Sequence, residues 1–124
     1  MAGVVLLAED DEDSRDLVSF LLQRSGVPVQ LLVAENGKEA VDLARDKQPS
    51  LILMDMQMPV MDGWTAVSRL KEDERTRDIP VIALTAHAGN EDAERARNIG
   101  CVAHCTKPID PDGLMKLVRQ YIQE

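Results

Sequence analysis

Short apolar runs alternate along the chain with longer segments in which apolar residues recur at helical spacing. The runs predict five strands: Val4–Ala8, Val29–Ala34, Leu51–Met54, Val81–Leu84 and Cys101–Thr106. The segments between and after them predict five helices: Ser14–Ser25, Lys38–Lys47, Trp64–Lys71, Gly89–Asn98 and a last one beginning at Pro111. Asp13 is the predicted N-cap of the first helix, and Gly26 is its predicted stop.

Strict alternation of strands and helices is typical of βαβ units and a mostly parallel sheet. Strand 1, Val4–Ala8, is continuously apolar, as expected when helices cover both faces of the sheet. We therefore expect a single α/β domain over residues 1–124, a flavodoxin-like doubly wound sheet of five parallel strands in the order 2-1-3-4-5. The ends of strands 1 and 3 are then neighbours.

Four of the predicted strands end at groups that can handle phosphate or metal. Glu9 and Asp10 follow strand 1, Asp55 follows strand 3, Thr85 follows strand 4, and Lys107 follows strand 5. In open α/β sheets, ligands bind at the edge formed by the carboxyl ends of the strands. These side chains are therefore predicted to meet in one site.

Glu9 begins a run of five consecutive acids that ends at Asp13. Carboxylates held close together repel one another, and Mg²⁺, which prefers oxygen ligands, relieves that repulsion. We expect Asp10 and Asp55 to be direct ligands and Glu9 to act through water, with the main-chain carbonyl of Gln57 as a possible third ligand. The favourable dipole of a helix N-terminus is the alternative explanation for residues 11–13.

Asp55 is also a candidate nucleophile, because carboxylates form aspartyl-phosphate intermediates. Phosphoryl transfer depends on positioning and on neutralising charge. Lys107 would supply a cation beside Mg²⁺, and Thr85 would supply a hydroxyl donor.

Composition narrows the range of functions. The net charge of −8 and a total of three aromatic residues argue against a basic or base-stacking nucleic-acid surface. No apolar run approaches the roughly 20 residues of a membrane helix, and the N-terminus lacks the basic region of a secretory signal. The expected location is the cytoplasm.

Four segments of the chain resemble the receiver domain of two-component response regulators, and the resemblance covers the whole chain. They are Leu6–Asp11 (LLAEDD), Leu53–Gly63 (LMDMQMPVMDG), Ile82–Ala86 (IALTA) and Thr106–Ile109 (TKPI). The resemblance implies that Asp55 accepts phosphate from a phosphohistidine on a partner kinase or phosphotransfer protein. It also implies that Glu9 and Asp10 hold Mg²⁺, that Lys107 contacts the phosphate, and that Thr85 turns toward it.

Further expectations rest on this resemblance. His104 stands where the family often has an aromatic switch residue, and Gln57 and His87 stand at positions that influence the lifetime of the phosphate. The Lys107–Pro108 peptide is expected to be cis. Helix 4, strand 5 and helix 5 are expected to form a docking face for a partner. The chain is expected to be a stand-alone monomer or weak dimer that catalyses only its own phosphorylation and dephosphorylation.

Two other classes of protein share part of this pattern. A phosphatase of the haloacid-dehalogenase type needs an aspartate two residues after the nucleophile, where this chain has Gln57. A pseudo-receiver that docks without phosphorylation would be expected to lose site residues, and none is lost. Cys101, His104 and Cys105 could suggest zinc, but strand alternation predicts His104 on the face opposite both cysteines.

Overall fold

Five parallel strands form one sheet in the order β2-β1-β3-β4-β5, as predicted. The structure is a computed structural model and describes residues 3–86 and 89–122. Its strands are β1 (Gly3–Ala8), β2 (Val29–Ala34), β3 (Leu51–Asp55), β4 (Val81–Thr85) and β5 (Ala103–Thr106). β3 and β4 each run one residue further than predicted, so that Asp55 and Thr85 are the last residues of their strands.

The helices that alternate with these strands are α1 (Glu12–Arg24), α2 (Gly37–Lys47), α3 (Gly63–Glu72), α4 (Asn90–Asn98) and α5 (Pro111–Tyr121). The predicted N-cap of α1 was wrong. Asp11, not Asp13, caps the helix, because its carboxylate accepts hydrogen bonds from both the backbone nitrogen and the hydroxyl of Ser14. None of the helices in the described parts of the chain is long and apolar enough to span a membrane.

The two faces of the sheet bury two separate apolar clusters. In β1, Val5 and Leu7 point into a cluster with α1 and α5, whereas Leu6 and Ala8 point into a cluster with α2, α3 and α4. Successive side chains on a strand alternate between faces, and both faces here are covered. This explains why β1 is apolar throughout.

β5 is shorter than predicted, and this changes the position of Cys101. Cys101 precedes the strand and is buried in the cluster with α4, on the sheet face to which His104 also belongs. Cys105 packs on the other face, against α5. The prediction that His104 lies opposite both cysteines was therefore right for Cys105 and wrong for Cys101, because strand alternation does not extend to residue 101.

Candidate functional site

The carboxyl edge of the sheet brings together an ammonium and two buried carboxylates. Lys107 Nζ lies 2.6 Å from Glu9 Oε1 and 3.2 Å from Asp55 Oδ2. Glu9 and Asp55 are 1% and 5% exposed, respectively. Three residues that are far apart in the sequence thus form one hydrogen-bonded group at the edge predicted for the site.

Backbone hydrogen bonds beyond the strand ends hold these side chains in place. The Glu9 N–H donates to the Ala34 carbonyl, and the Lys107 N–H donates to the Thr85 carbonyl. The Lys107–Pro108 peptide is cis, as the resemblance implied.

The loop after β3 closes tightly around Asp55. The Gln57 N–H donates to Asp55 Oδ1 at 3.0 Å, which leaves Oδ2 to Lys107. Gly63, the first residue of α3, lies against the Asp55 carbonyl oxygen, where a Cβ atom would overlap it. Glycine at position 63 therefore lets α3 begin directly beside the acceptor strand.

Burial and close contact shift the pKa values of two of these groups. Burial raises the pKa of the Glu9 carboxyl from 4.5 to about 7; the hydrogen bond with Asp55 adds to the rise, and Lys107 opposes it. Burial alone would lower the pKa of the Lys107 ammonium, but the hydrogen bond to Glu9 and the charges of Asp55 and Glu9 outweigh it and raise that pKa above 10.5. The ammonium therefore stays charged at neutral pH.

Three carboxylates converge at a point where a cation could bind. Glu9, Asp10 and Asp55 each offer an oxygen within 4.8 Å of the other two, and no other such group of three occurs within residues 3–86 and 89–122. Asp10 is exposed, whereas the other two carboxylates are buried. An all-oxygen donor set with one open side fits a hard divalent cation.

Thr85 is 2% exposed and lines a small cavity beside the acceptor loop. Met56, Gln57 and Trp64 line the same cavity from the β3 side, and Arg95 lines it from α4. The predicted hydroxyl donor is therefore at the same sheet edge as the acidic group, in β4 next to Asp55.

The remaining predicted residues differ in how the structure presents them. His104 is exposed and lines a groove between α4 and β5. His87 lies outside the described residues. Gln57 contributes its N–H to Asp55, whereas the role of its carbonyl as a metal ligand stays a prediction.

Two contacts near the site were not predicted. Arg15 donates from its guanidinium to the Glu9 carbonyl at 3.0 Å, and the Arg95 guanidinium stacks on the Trp64 ring. Nothing in the sequence predicts that an arginine six residues after Glu9 should bind the Glu9 carbonyl. The Arg95–Trp64 contact depends on how α3 and α4 pack against the sheet.

Comparisons with known proteins agree with this geometry. The family model of the response regulator receiver domain matches residues 5–119. The polar-differentiation response regulator DivK of Brucella anthropi is 41% identical over 122 residues, and the match covers 98% of both proteins.

Solved structures of receiver domains have the same fold. The receiver domain of a sensor histidine kinase from Pseudomonas aeruginosa, with a magnesium ion coordinated in its active site cleft, matches with a TM-score of 0.87 and 29% identity over 98% of both chains. The receiver domain of a signal transduction histidine kinase from Syntrophus aciditrophicus matches with a TM-score of 0.86 and 32% identity, over 98% of this chain and 90% of that one. The chain therefore belongs to the response regulator receiver domain family of two-component signalling.

Proposed function

We propose that the chain is a phosphorylation-dependent signalling module in which Asp55 accepts a phosphoryl group from a phosphohistidine. The observation that carries this proposal is the contact of Lys107 with the buried carboxylates of Asp55 and Glu9 at the carboxyl edge of the sheet. The donor would be a histidine kinase or a histidine phosphotransfer protein. On this proposal the chain would catalyse only its own phosphorylation and dephosphorylation, as a signalling domain rather than an enzyme.

The proposed step is a transfer between two nucleophiles. An Asp55 carboxylate oxygen forms a bond to phosphorus while the bond between phosphorus and the donor's imidazole nitrogen breaks, and the electron pair of that bond stays with the imidazole. Lys107 offsets the negative charge that the phosphoryl group brings beside Glu9. The Gln57 N–H orients the acceptor carboxylate, and the Thr85 hydroxyl would donate to a phosphoryl oxygen.

The acidic group fits Mg²⁺ by its donor chemistry. Asp10 and Asp55 would bind the ion directly, Glu9 through water, and the Gln57 carbonyl would be a further ligand. Three carboxylates against the single ammonium of Lys107 leave a net negative pocket, which favours a cation. When bound, Mg²⁺ would neutralise charge on the oxygens of the transferring group. The magnesium ion in the Pseudomonas receiver domain supports this assignment.

The output of the switch would be the face made by α4, β5 and α5. Thr85 ends β4 and pairs with Thr106 of β5. A movement of Thr85 toward the phosphate would therefore change its packing against the neighbouring strand. His104 lies exposed in β5, where a side chain can respond to that movement or contact a partner. We propose that phosphorylation changes how this face docks onto a target protein or a phosphorelay partner.

Intact-mass measurement tests the proposal. Phosphoramidate, whose P–N bond resembles that of phosphohistidine, should add one phosphate to the wild type in the presence of Mg²⁺. Asp55→Asn should add none, whereas Asp13→Asn, which changes an exposed acid of the same acidic run, should behave like the wild type. Labelling of Asp55→Asn at the wild-type yield would contradict the proposal.

A further inference from the structure

A cation–π contact joins α3 and α4 next to the proposed acceptor. The Arg95 guanidinium carbon lies 4.1 Å from the centroid of the Trp64 ring, well inside the roughly 6 Å over which such contacts are significant. Tryptophan offers the strongest face for this interaction, and the planar guanidinium stacks where an ammonium cannot. Neither residue belongs to the group proposed above to handle phosphate or metal.

Both residues of the pair line the cavity that also contains Thr85. The cavity measures about 180 Å³, and a water molecule in the liquid occupies about 30 Å³, so that several waters fit. Its inner wall includes Met56 and Thr85, which are 1% and 2% exposed, whereas Gln57, Ala86 and Arg95 are exposed to solvent. The cavity therefore runs from solvent inward to the residue proposed to contact the phosphoryl group.

Trp64 also faces the acidic pocket. It lines the depression that contains Asp10 and Gln57, as well as the cavity that contains Thr85. The Trp64 indole thus lies between the depression that contains Asp10 and the cavity that contains Thr85. Arg95 of α4 covers one face of its ring. Among the described residues that line the Thr85 cavity, Arg95 carries the only positive charge and Asp92 the only negative one.

We propose that Arg95 stacked on Trp64 acts as a gate that restricts water from the phosphoryl group on Asp55 and so prolongs its lifetime. This inference rests on the proposed function. In the step that the gate slows, a water oxygen forms a bond to phosphorus and the bond between phosphorus and the Asp55 oxygen breaks. Asp55 recovers its carboxylate, inorganic phosphate leaves, and the proton of the water goes to phosphate or solvent.

Loss of a gate should change the rate of phosphate hydrolysis alone. General damage to the site would also change the Mg²⁺ affinity and the folding stability. Opening the gate should speed hydrolysis, while the Mg²⁺ affinity and the folding stability stay as in the wild type. The free energy of a cation–π contact near solvent corresponds to a shift of about 2- to 5-fold in the equilibrium between the open and closed gate. That factor sets the size of the expected change in phosphate half-life.

The test compares Arg95→Ala and Arg95→Lys with Arg97→Ala as the matched control. Arg97 is an exposed arginine of the same helix and does not line the Thr85 cavity. Each protein is loaded with phosphoramidate and Mg²⁺, the donor is removed by rapid desalting, and the loss of phosphate is followed by intact mass. Arg95→Ala should shorten the half-life about 2- to 5-fold, Arg95→Lys should shorten it less, and Arg97→Ala should leave it unchanged.

Two further variants test the aromatic side of the contact. Trp64→Phe keeps a ring face for the guanidinium and should change the half-life less than Trp64→Leu, which removes it. An Arg95→Ala half-life equal to that of the wild type, or an equal loss in Arg97→Ala, overturns the gate. A wild type that accepts no phosphate overturns the proposed function itself, so the two failures are distinguishable.

Discussion

Lys107 contacts two buried carboxylates at once, and it lies closer to Glu9 than to Asp55, at 2.6 Å against 3.2 Å. One ammonium cannot balance Glu9, Asp55 and the neighbouring Asp10. Burial first, and the contact with Asp55 second, raise the pKa of the Glu9 carboxyl. Unbalanced buried charge is costly unless a counter-ion is supplied. At the residue scale, a bound cation would therefore stabilise the site by offsetting its excess negative charge.

Asp10→Ala should weaken Mg²⁺ binding at least about tenfold, because it removes a proposed direct ligand. Trp64 lines the same depression as Asp10, so its fluorescence can follow the titration. Asp13→Ala, which removes an exposed acid of the same run, should bind Mg²⁺ as the wild type does. Equal affinity in Asp10→Ala and the wild type would show that Asp10 is not a ligand.

Gly63→Ala should lower the free energy of unfolding by about 1–3 kcal/mol, because a new Cβ would overlap the Asp55 carbonyl oxygen and force the acceptor loop away from α3. Urea denaturation measures the change. Gly89→Ala is the control, since a Cβ there meets no atom within 4 Å among the residues that the structure describes. Equal stability of the two variants would mean that the loop relaxes without cost.

At the scale of elements, apolar runs and helical periodicity predicted the five strands and five helices that the described residues form, because a strand covered on both faces is mostly apolar. The ends of the elements were less predictable. α1 begins at Glu12 because Asp11, one of five acids in a row, has the geometry to cap it. The segment after α3 begins at Asp73, which binds Arg45 of α2 as well as Arg75.

Asp73 provides a pH-dependent contribution to this packing. Hydrogen bonds from Arg75 hold the pKa of the Asp73 carboxyl well below its usual value of 3.8, and Arg45 adds to the effect. A carboxyl whose pKa is lower in the folded state stabilises the fold above its unfolded pKa and loses that contribution as the pH falls. Asp73→Asn should therefore be less stable than the wild type by a constant amount above about pH 5, and the difference should shrink as the pH drops below 3.8.

Urea denaturation across that pH range checks the dependence on Asp73. Asp46→Asn is the control, because Asp46 is an exposed residue whose ion pair is with the adjacent Lys47. A stability difference for Asp73→Asn that does not change with pH would indicate that its effect comes from packing or capping rather than from charge.

For the molecule as a whole, topology explains why most of the site could be predicted. Parallel strands all end at one edge, so Glu9, Asp55, Thr85 and Lys107 had to lie along the same edge of the sheet once the strand order was known. The stacking of Arg95 on Trp64 could not be predicted in this way. This contact depends on where α3 and α4 pack on the sheet, and the spacing of residues along the chain does not predict those positions.

The most direct measurement of the central claim is to locate the phosphate chemically. Borohydride reduces an acyl phosphate to an alcohol, so a phosphorylated aspartate becomes homoserine. The wild type is loaded with phosphoramidate and Mg²⁺, reduced, digested and analysed by peptide mass spectrometry. The account predicts homoserine at position 55 and at no other aspartate. Homoserine at Asp10, or phosphate that persists elsewhere in the chain while Asp55 stays unreduced, would contradict it.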